Sequence, residues 1–110
     1  KTWVYLGADK INRLVVFKNN VVDCCDYRKM YPGSPSIRYS PKVMDESSTE
    51  FVHGKLIIDG NIFKNPVENE HLFHLEYLKH AQITNNVFDM PYEINKKVVG
   101  SVVEYNNIIK

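Results

Sequence analysis

The chain has 110 residues, of which 44% are hydrophobic and 25% are charged, and its formal net charge is +1. This length fits one domain or part of a larger one, and the composition is that of a folded globular protein. A net charge so close to zero argues against strong bulk attraction to nucleic acid. No apolar run approaches the roughly 20 residues of a membrane-spanning helix. The sequence therefore predicts neither a nucleic-acid partner nor a membrane span.

The first predicted elements are short strands near the N-terminus. "WVYLG" (3–7) is strand-like, and "VVFKNNVVD" (15–23) alternates in hydrophobicity before an asparagine pair. Alternation with a period of two is typical of a strand with one buried face. Residues 26–50 then hold three of the five prolines, clustered serines and no sustained period. This range is predicted to be a long loop.

A repeated phrase follows the loop. "IIDGNIFKNP" (57–66) returns in other letters as "QITNNVFDMP" (82–91), and "SVVEYNNII" (101–109) matches it more loosely. Asparagine favours a left-handed bend, and proline ends a strand because it has no N–H for the ladder. Each phrase therefore predicts a strand, a bend at asparagine and a second strand. "LFHLEYL" (72–78), between the two closest copies, fits a strand or an amphipathic helical turn.

These phrases resemble the rungs of the right-handed parallel β-helix family, the pectate-lyase-like superfamily, in which "I-x-x-N-x-F" recurs at one bend. The resemblance covers most of the chain except residues 26–50. It implies an all-β solenoid of about four coils in a single domain, 1–110, with one long excursion loop at 26–50. A β-sandwich is the alternative, because it also has short strands and frequent turns.

The resemblance also implies an asparagine ladder and a buried aromatic row beside it. Side chains at the same bend of successive coils would stack on one another. The implied ladder residues are Asn20, Asn61, Asn86 and Asn106, and the residues expected to be buried beside them are Phe63, Phe88 and Ile108.

Members of this family include polysaccharide lyases, glycoside hydrolases and phage tailspikes. The resemblance therefore implies a secreted, cell-surface or virion domain that binds or acts on extracellular polysaccharide. The first alternative is a non-catalytic structural stem of a surface or tailspike protein, and the second is an unrelated sandwich-type binding module. Whether the chain is an enzyme stays open, because no lyase or polygalacturonase signature is present, and no cofactor is predicted.

Two carboxylates are the candidate catalytic residues, and they fall in one outward row of the predicted coils. That row consists of Lys18, Asp59, Thr84 and Glu104. Asp59 and Glu104 would lie two rungs apart, or roughly 9.6 Å at about 4.8 Å per rung. Inverting glycosidases separate their carboxylates by about 6.5–9.5 Å. Alternating Lys, Asp, Thr and Glu is equally typical of a solvated sheet face.

The candidate substrate contacts lie mainly in the predicted loop. Tyrosine rings stack on the apolar faces of sugars, and arginine offers a fork of donors. Loops on a rigid scaffold often carry binding sites, although these tyrosines could instead pack against the coil. The predicted contacts are Tyr31, Arg38, Tyr39 and Lys18. No metal site is predicted, because His71 and His74 would lie on opposite faces of a strand.

The ends of the predicted solenoid need covering. A bare end exposes core side chains and unpaired strand edges. Neither terminus has an amphipathic helix or a polar segment that would form a cap, and about four coils bury little core. Further coils of the same protein, or a homo-oligomer, are therefore the predicted protein partners.

Overall fold

The chain is described here by a computed structural model that covers residues 4–5, 13–23, 37–39, 53–64, 71–89 and 91–110. These residues form ten short or long β-strands. The strands are β1 (Val4–Tyr5), β2 (Leu14–Lys18), β3 (Val21–Asp23), β4 (Ile37–Tyr39), β5 (His53–Asp59), β6 (Ile62–Lys64), β7 (His71–Thr84), β8 (Val87–Phe88), β9 (Glu93–Tyr105) and β10 (Ile108–Ile109). No helix of the length and apolar character needed to cross a bilayer occurs in the described residues.

The strands form two sheets in which every described pair is parallel. The smaller sheet has the order β10-β8-β6-β3, and the larger one contains β1, β4, β7, β5, β2 and β9. The long strands β7 and β9 change direction at Tyr77 and Val98, whose φ angles are 55° and 56°. Before this bend β7 pairs with β4, and after it β7 pairs with β5. An all-β fold with parallel pairing fits a β-helix-like architecture and differs from the antiparallel sheets of a sandwich.

The chain repeats one order of strands four times. We call each pass a repeat unit: a strand in the first half of the larger sheet, a strand in its second half, and a strand in the smaller sheet. The four units are β1–β2–β3, β4–β5–β6, β7–β8 and β9–β10, with the first two strands merged in the last two units. The units lie in register, so that Lys18 pairs with Asp59, Asp59 with Thr84, and Thr84 with Tyr105.

A ladder of four asparagines joins the units where the larger sheet turns into the smaller one. At each step, the backbone N–H and the side-chain amide of one asparagine donate to the side-chain oxygen of the next. Asn20 donates to Asn61 at 2.9 and 3.2 Å, Asn61 to Asn86 at 2.9 and 3.0 Å, and Asn86 to Asn107 at 3.1 Å in both bonds. Asn61 and Asn86 are fully buried. Burial of these amides is stable because their polar groups are hydrogen-bonded.

The ladder confirms three of the four predicted asparagines and corrects the fourth. Asn107, not Asn106, occupies the last position, because the last unit is 21 residues long at this point. Asn106 instead has a φ of 55°, like Asn19 and Asn85 at 57°, and so occupies the left-handed position that comes before the ladder residue. With Asn107 as the ladder residue, Ile109 is the residue that pairs with the buried Phe88. Ile108 is 57% exposed. The prediction that Ile108 is buried was therefore wrong.

Two glycines in the second unit occupy positions of close approach. Gly60 takes the left-handed bend position at φ 69°, and a Cβ there would lie 2.5 Å from the side-chain oxygen of Asn19. At Gly54 a Cβ would lie 2.4 Å from the backbone oxygen of Arg13, which also accepts a hydrogen bond from the N–H of Lys55. The Asn19 side chain can rotate away, but the Arg13 backbone cannot do so without loss of that bond.

Aromatic rings stack inside the units beside the ladder. Phe63 and Phe88 are parallel with centroids 5.1 Å apart, and Tyr92 lies over Phe88 at 4.1 Å. Phe73 packs edge-on against all three rings. Phe63, Phe73 and Phe88 are fully buried, as predicted for Phe63 and Phe88. Stacked and edge-on pairs are worth about 0.5–1.5 kcal/mol each beyond their buried area.

Part of the predicted loop at 26–50 is a strand. Ile37–Tyr39 form β4, which pairs with β7 at Phe73, His74 and Leu75. The other residues of 26–50 lie outside the described ones. The segment "LFHLEYL" is also a strand, and its helical alternative is wrong.

The ladder predicts a contrast between neighbouring asparagine positions. Replacement of Asn86 by Leu removes the oxygen that accepts from both the backbone N–H and the side-chain amide of Asn61, and it leaves two buried donors unsatisfied. We expect the free energy of unfolding to fall by about 2–4 kcal/mol. Asn106→Gly should stay within about 1 kcal/mol of the unmodified chain, because glycine adopts a positive φ without strain. Urea unfolding followed by circular dichroism measures both changes, and equal losses would contradict the ladder.

The glycines predict a second contrast. Gly54→Ala should lower the free energy of unfolding by about 1–3 kcal/mol, since the added methyl group meets a backbone oxygen. Gly60→Asn should lower it by less than about 1 kcal/mol, because asparagine tolerates the left-handed region and only the Asn19 side chain must move. The same urea unfolding measurement separates them, and a neutral Gly54→Ala variant would show that the first two units are not packed this closely.

Candidate functional site

The outer face of the second half of the larger sheet carries three rows of side chains. Strands β2, β5, β7 and β9 each contribute one residue to each row, because alternate residues of a strand point to the same side. The rows are Leu14, Lys55, His80 and Ser101; Val16, Ile57, Gln82 and Val103; and Lys18, Asp59, Thr84 and Tyr105. We call this surface the outer face and its last set the bend row, since it lies beside the asparagine bend.

Asp59 is the centre of the bend row. One of its oxygens, Oδ1, accepts hydrogen bonds from the Thr84 hydroxyl at 2.9 Å and from the Asn85 amide at 2.8 Å. Its other oxygen, Oδ2, lies 3.8 Å from the ammonium group of Lys18. Gln82 adds a longer bond of 3.4 Å to the Thr84 hydroxyl. Side chains of three successive units therefore converge on one carboxylate.

The surroundings of Asp59 keep it ionised. Hydrogen bonds from Asn85 and Thr84 lower the pKa of this carboxyl, and the positive charge of Lys18 lowers it further against the opposing effect of burial. A carboxylate that accepts two hydrogen bonds is stabilised in its charged form. General acids and bases work best with a pKa near the working pH. Asp59 is therefore suited to hold its neighbours in place and to accept hydrogen bonds, and poorly suited to act as a general acid.

Glu104 does not lie in the row where it was predicted. It is in register with Ile83 of the buried face, and Tyr105 takes the place beside Thr84. The Glu104 carboxylate accepts a hydrogen bond of 2.5 Å from the hydroxyl of Tyr92. Burial raises the pKa of Tyr92, and the bond to Glu104 adds to this effect. The predicted outward row containing both Asp59 and Glu104 is therefore wrong, because the last unit is one residue longer than the prediction assumed.

The predicted substrate contacts fall in different places. Lys18 is an exposed member of the bend row and pairs with Asp59. Tyr39 is fully buried in the core, a position that does not fit a role in contacting sugars. Arg38 lies in β4, but its side chain is outside the described structure, as is all of Tyr31. The roles predicted for Lys18, Arg38 and Tyr31 stay predictions.

Sequence reasoning missed Tyr105 and Asn85. Tyr105 is 50% exposed and brings an aromatic ring to the end of the bend row. Asn85 supplies a hydrogen bond to Asp59 from the bend itself. Both could have been found from the two asparagine doublets, Asn85–Asn86 and Asn106–Asn107. If the second asparagine of each doublet is aligned, Asn85 takes the bend position and Thr84 lies beside Tyr105.

A second polar pair lies in the first row of the outer face. The His80 ring nitrogen Nδ1 is 2.6 Å from the hydroxyl oxygen of Ser101, and Lys55 is the neighbour of His80 in the same row. Ser101 is exposed and His80 is half-buried. Within the ranges that the structure describes, no three His, Cys, Asp or Glu side chains are grouped so as to hold a metal ion.

No protein-family model, curated protein or solved structure matches this chain. The function is therefore inferred from the geometry of the outer face and from the resemblance that the repeated phrases carry.

The pKa of Asp59 should respond more to loss of a hydrogen bond than to loss of the neighbouring charge. Asn85→Gly keeps the left-handed bend but removes the amide donor, and we expect it to raise this pKa more than Lys18→Met does. The reason is that the Asn85 bond contributes the largest lowering. NMR of the Asp59 carboxyl carbon over a pH titration measures the pKa in both variants. A larger rise of this pKa in Lys18→Met would show that the charge of Lys18, and not the Asn85 hydrogen bond, has the larger effect.

The same carboxylate makes stability depend on pH in a defined direction. Its pKa in the folded state is lower than in the unfolded state, so its contribution is present above the unfolded pKa of about 3.9 and is lost as the pH falls through the folded pKa. Asp59→Asn should therefore be less stable than the unmodified chain at pH 7, and this difference should shrink in acid. Urea unfolding at pH 7 and at an acidic pH tests this. The same difference in the free energy of unfolding between the two chains at both pH values would contradict it.

Proposed function

We propose that this chain is a right-handed parallel β-helix of four coils, of the pectate-lyase-like type, and that its outer face binds extracellular polysaccharide without cleaving it. Parallel pairing in register, with the same bend in successive units, supports the β-helix. Connections between parallel strands of one sheet are right-handed in about 98% of cases, which supports the handedness. The proposed location is that of the family: secreted, on a cell surface or in a virion.

The bend row is the observation that carries the proposed binding. It places the exposed ring of Tyr105 beside a line of hydrogen-bonding groups on neighbouring strands. A sugar chain presents apolar C–H faces to aromatic rings, and its hydroxyls need donors and acceptors. Lys18 and Asp59 of the bend row supply both kinds of group on neighbouring strands about 4.8 Å apart. Gln82, in the middle row of the outer face, adds an amide, whereas Thr84, between Asp59 and Tyr105, is buried and donates to Asp59. Hydrogen bonds from Thr84 and Asn85 hold the Asp59 carboxylate in place, which reduces the entropy that binding must overcome.

The placement of the two carboxylates supports the proposal of binding without turnover. A glycoside hydrolase needs an acid and a second carboxylate on opposite sides of the same bond. Asp59 belongs to the outer face, whereas Glu104 is in register with the buried face and is bound to Tyr92. The low pKa of Asp59 also disfavours its use as a general acid.

A structural stem is the second candidate, and the interior of the units favours it. The asparagine ladder runs through all four units, and the stacked rings of Phe63, Phe88 and Tyr92 run beside it. Such continuous rows stabilise the stack of units whether or not its surface binds a ligand. Binding of polysaccharide is what distinguishes the two candidates.

The proposal predicts that one exposed ring matters for binding and another equally exposed residue does not. In a screen of uronate-containing and neutral polysaccharides, Tyr105→Ala should weaken binding by about tenfold, equivalent to about 1.4 kcal/mol. Ile108→Ala is the matched control, because Ile108 is 57% exposed but lies in the smaller sheet. Affinity electrophoresis or calorimetry measures the change.

The same screen tests turnover. Release of new reducing ends or of unsaturated products by the unmodified chain would show that the domain is an enzyme. Binding of no polysaccharide in the screen would favour the structural stem. Equal weakening by Tyr105→Ala and Ile108→Ala would place the contact surface elsewhere.

A further inference from the structure

The asparagine ladder has a direction. At each step two donors of one asparagine, its backbone N–H and its amide, share the side-chain oxygen of the next one. The second amide hydrogen donates to a strand carbonyl of the preceding unit, as from Asn61 to the Phe17 oxygen and from Asn107 to the Ile83 oxygen. A ladder built in this way ends in an acceptor on one side and in donors on the other.

Both ends of the ladder are open within the described part of the chain. No described group donates to the side-chain oxygen of Asn20, whose backbone N–H and one amide hydrogen donate to Asn61. At the other end, the side-chain oxygen of Asn107 is used by Asn86 and one amide hydrogen by Ile83. Its backbone N–H and second amide hydrogen have no acceptor among the described residues. At every earlier step of the ladder, the same two donors bind the side-chain oxygen of the next asparagine.

The strand edges beside these open groups are also unpaired in the described structure. β2 and β3 form one edge of the sheets, and β9 and β10 form the opposite edge. Val15 and Phe17 are only half-buried at the first edge, and Ile109 is 51% exposed at the other. Unpaired strand edges with apolar side chains are templates for pairing with another chain.

We propose that a second copy of this chain stacks head to tail on the first, so that the donors of Asn107 hold the side-chain oxygen of Asn20 in the next copy. The chemistry at the junction repeats that of the three internal steps, and β9 and β10 then pair in parallel with β2 and β3 of the neighbour. Such a contact joins two different surfaces, so it generates a ring or an open row of copies. This inference is independent of polysaccharide binding.

Two charged residues at the junction limit its strength. Lys96 and Glu104 are in register with the buried residues Leu75 and Ile83, so a stacked copy would partly cover them. Glu104 would lie over Phe17 of the neighbour, and desolvation of its charge opposes association. Association should therefore depend on concentration, and Glu104→Gln should strengthen it several-fold while keeping an acceptor for Tyr92.

Sedimentation velocity of the 110-residue chain over a range of protein concentrations tests the proposal. The weight-average sedimentation coefficient should rise with concentration. Ile109→Lys should abolish this rise, because it places a charge on the inward side of the junction. Ile108→Lys is the matched control: Ile108 is the adjacent residue, is equally exposed, and points outward. It should keep most of the association, and circular dichroism should show that both variants remain folded.

A pair of asparagine variants tests the direction of stacking. Asn107→Asp and Asn20→Asp each remove one internal amide donor and one amide donor of the junction. Only Asn107→Asp removes one of the two donors that hold the Asn20 side-chain oxygen, whereas Asn20→Asp keeps an oxygen that accepts both. Association should therefore weaken more in Asn107→Asp than in Asn20→Asp. A monomer at every concentration, or association that survives Ile109→Lys, would overturn the proposal. Equal effects of the two aspartates, or of the two lysines, would also overturn it.

Discussion

Buried asparagine side chains set the register of the whole structure. Asn61 and Asn86 have no exposed surface, and each must satisfy an amide and an oxygen inside the protein. A buried polar group without a partner costs about 1–3 kcal/mol. If one repeat unit slid along its neighbour, several of these asparagine groups would lose their partners at once. A shift by one residue would also turn every buried side chain outward. The ladder therefore determines which residues share the core and which share the outer face.

The candidate site is a consequence of that register. Lys18, Asp59 and Thr84 come from three units, and they meet only because the asparagine that follows each strand is stacked on the next. Asn85 links the two features directly: it adopts the left-handed bend that precedes the ladder residue, and its side chain donates to Asp59. The bend that orders the interior therefore also lowers the pKa of the central carboxylate on the surface.

Much of the fold could be predicted from the sequence where two phrases repeat at one spacing. Asn61 and Asn86, with Phe63 and Phe88, follow the predicted pattern because both sets recur at an interval of 25 residues. The last unit could not be aligned in the same way, since the doublet at 106–107 offers two asparagines and the strand before it lacks a strong alternation. β4 was missed because three residues are too few to show a period among prolines. Hydrogen bonds to Asp59 depend on side-chain geometry that no pattern contains.

The fourth unit shows how a repeating interior changes character at its edge. Phe63 and Phe88 occupy equivalent positions and are wholly buried, but the next ring in the stack is Tyr92, which carries a hydroxyl. Glu104 replaces the buried aliphatic of the preceding unit and accepts the hydrogen of that hydroxyl. Apolar contact continues through the ring, while the polar tip and the carboxylate remain accessible to water. The last unit can therefore cover the core of the third without exposing a purely apolar surface, and the same two polar groups make any copy that stacks on it a weaker neighbour than an internal unit.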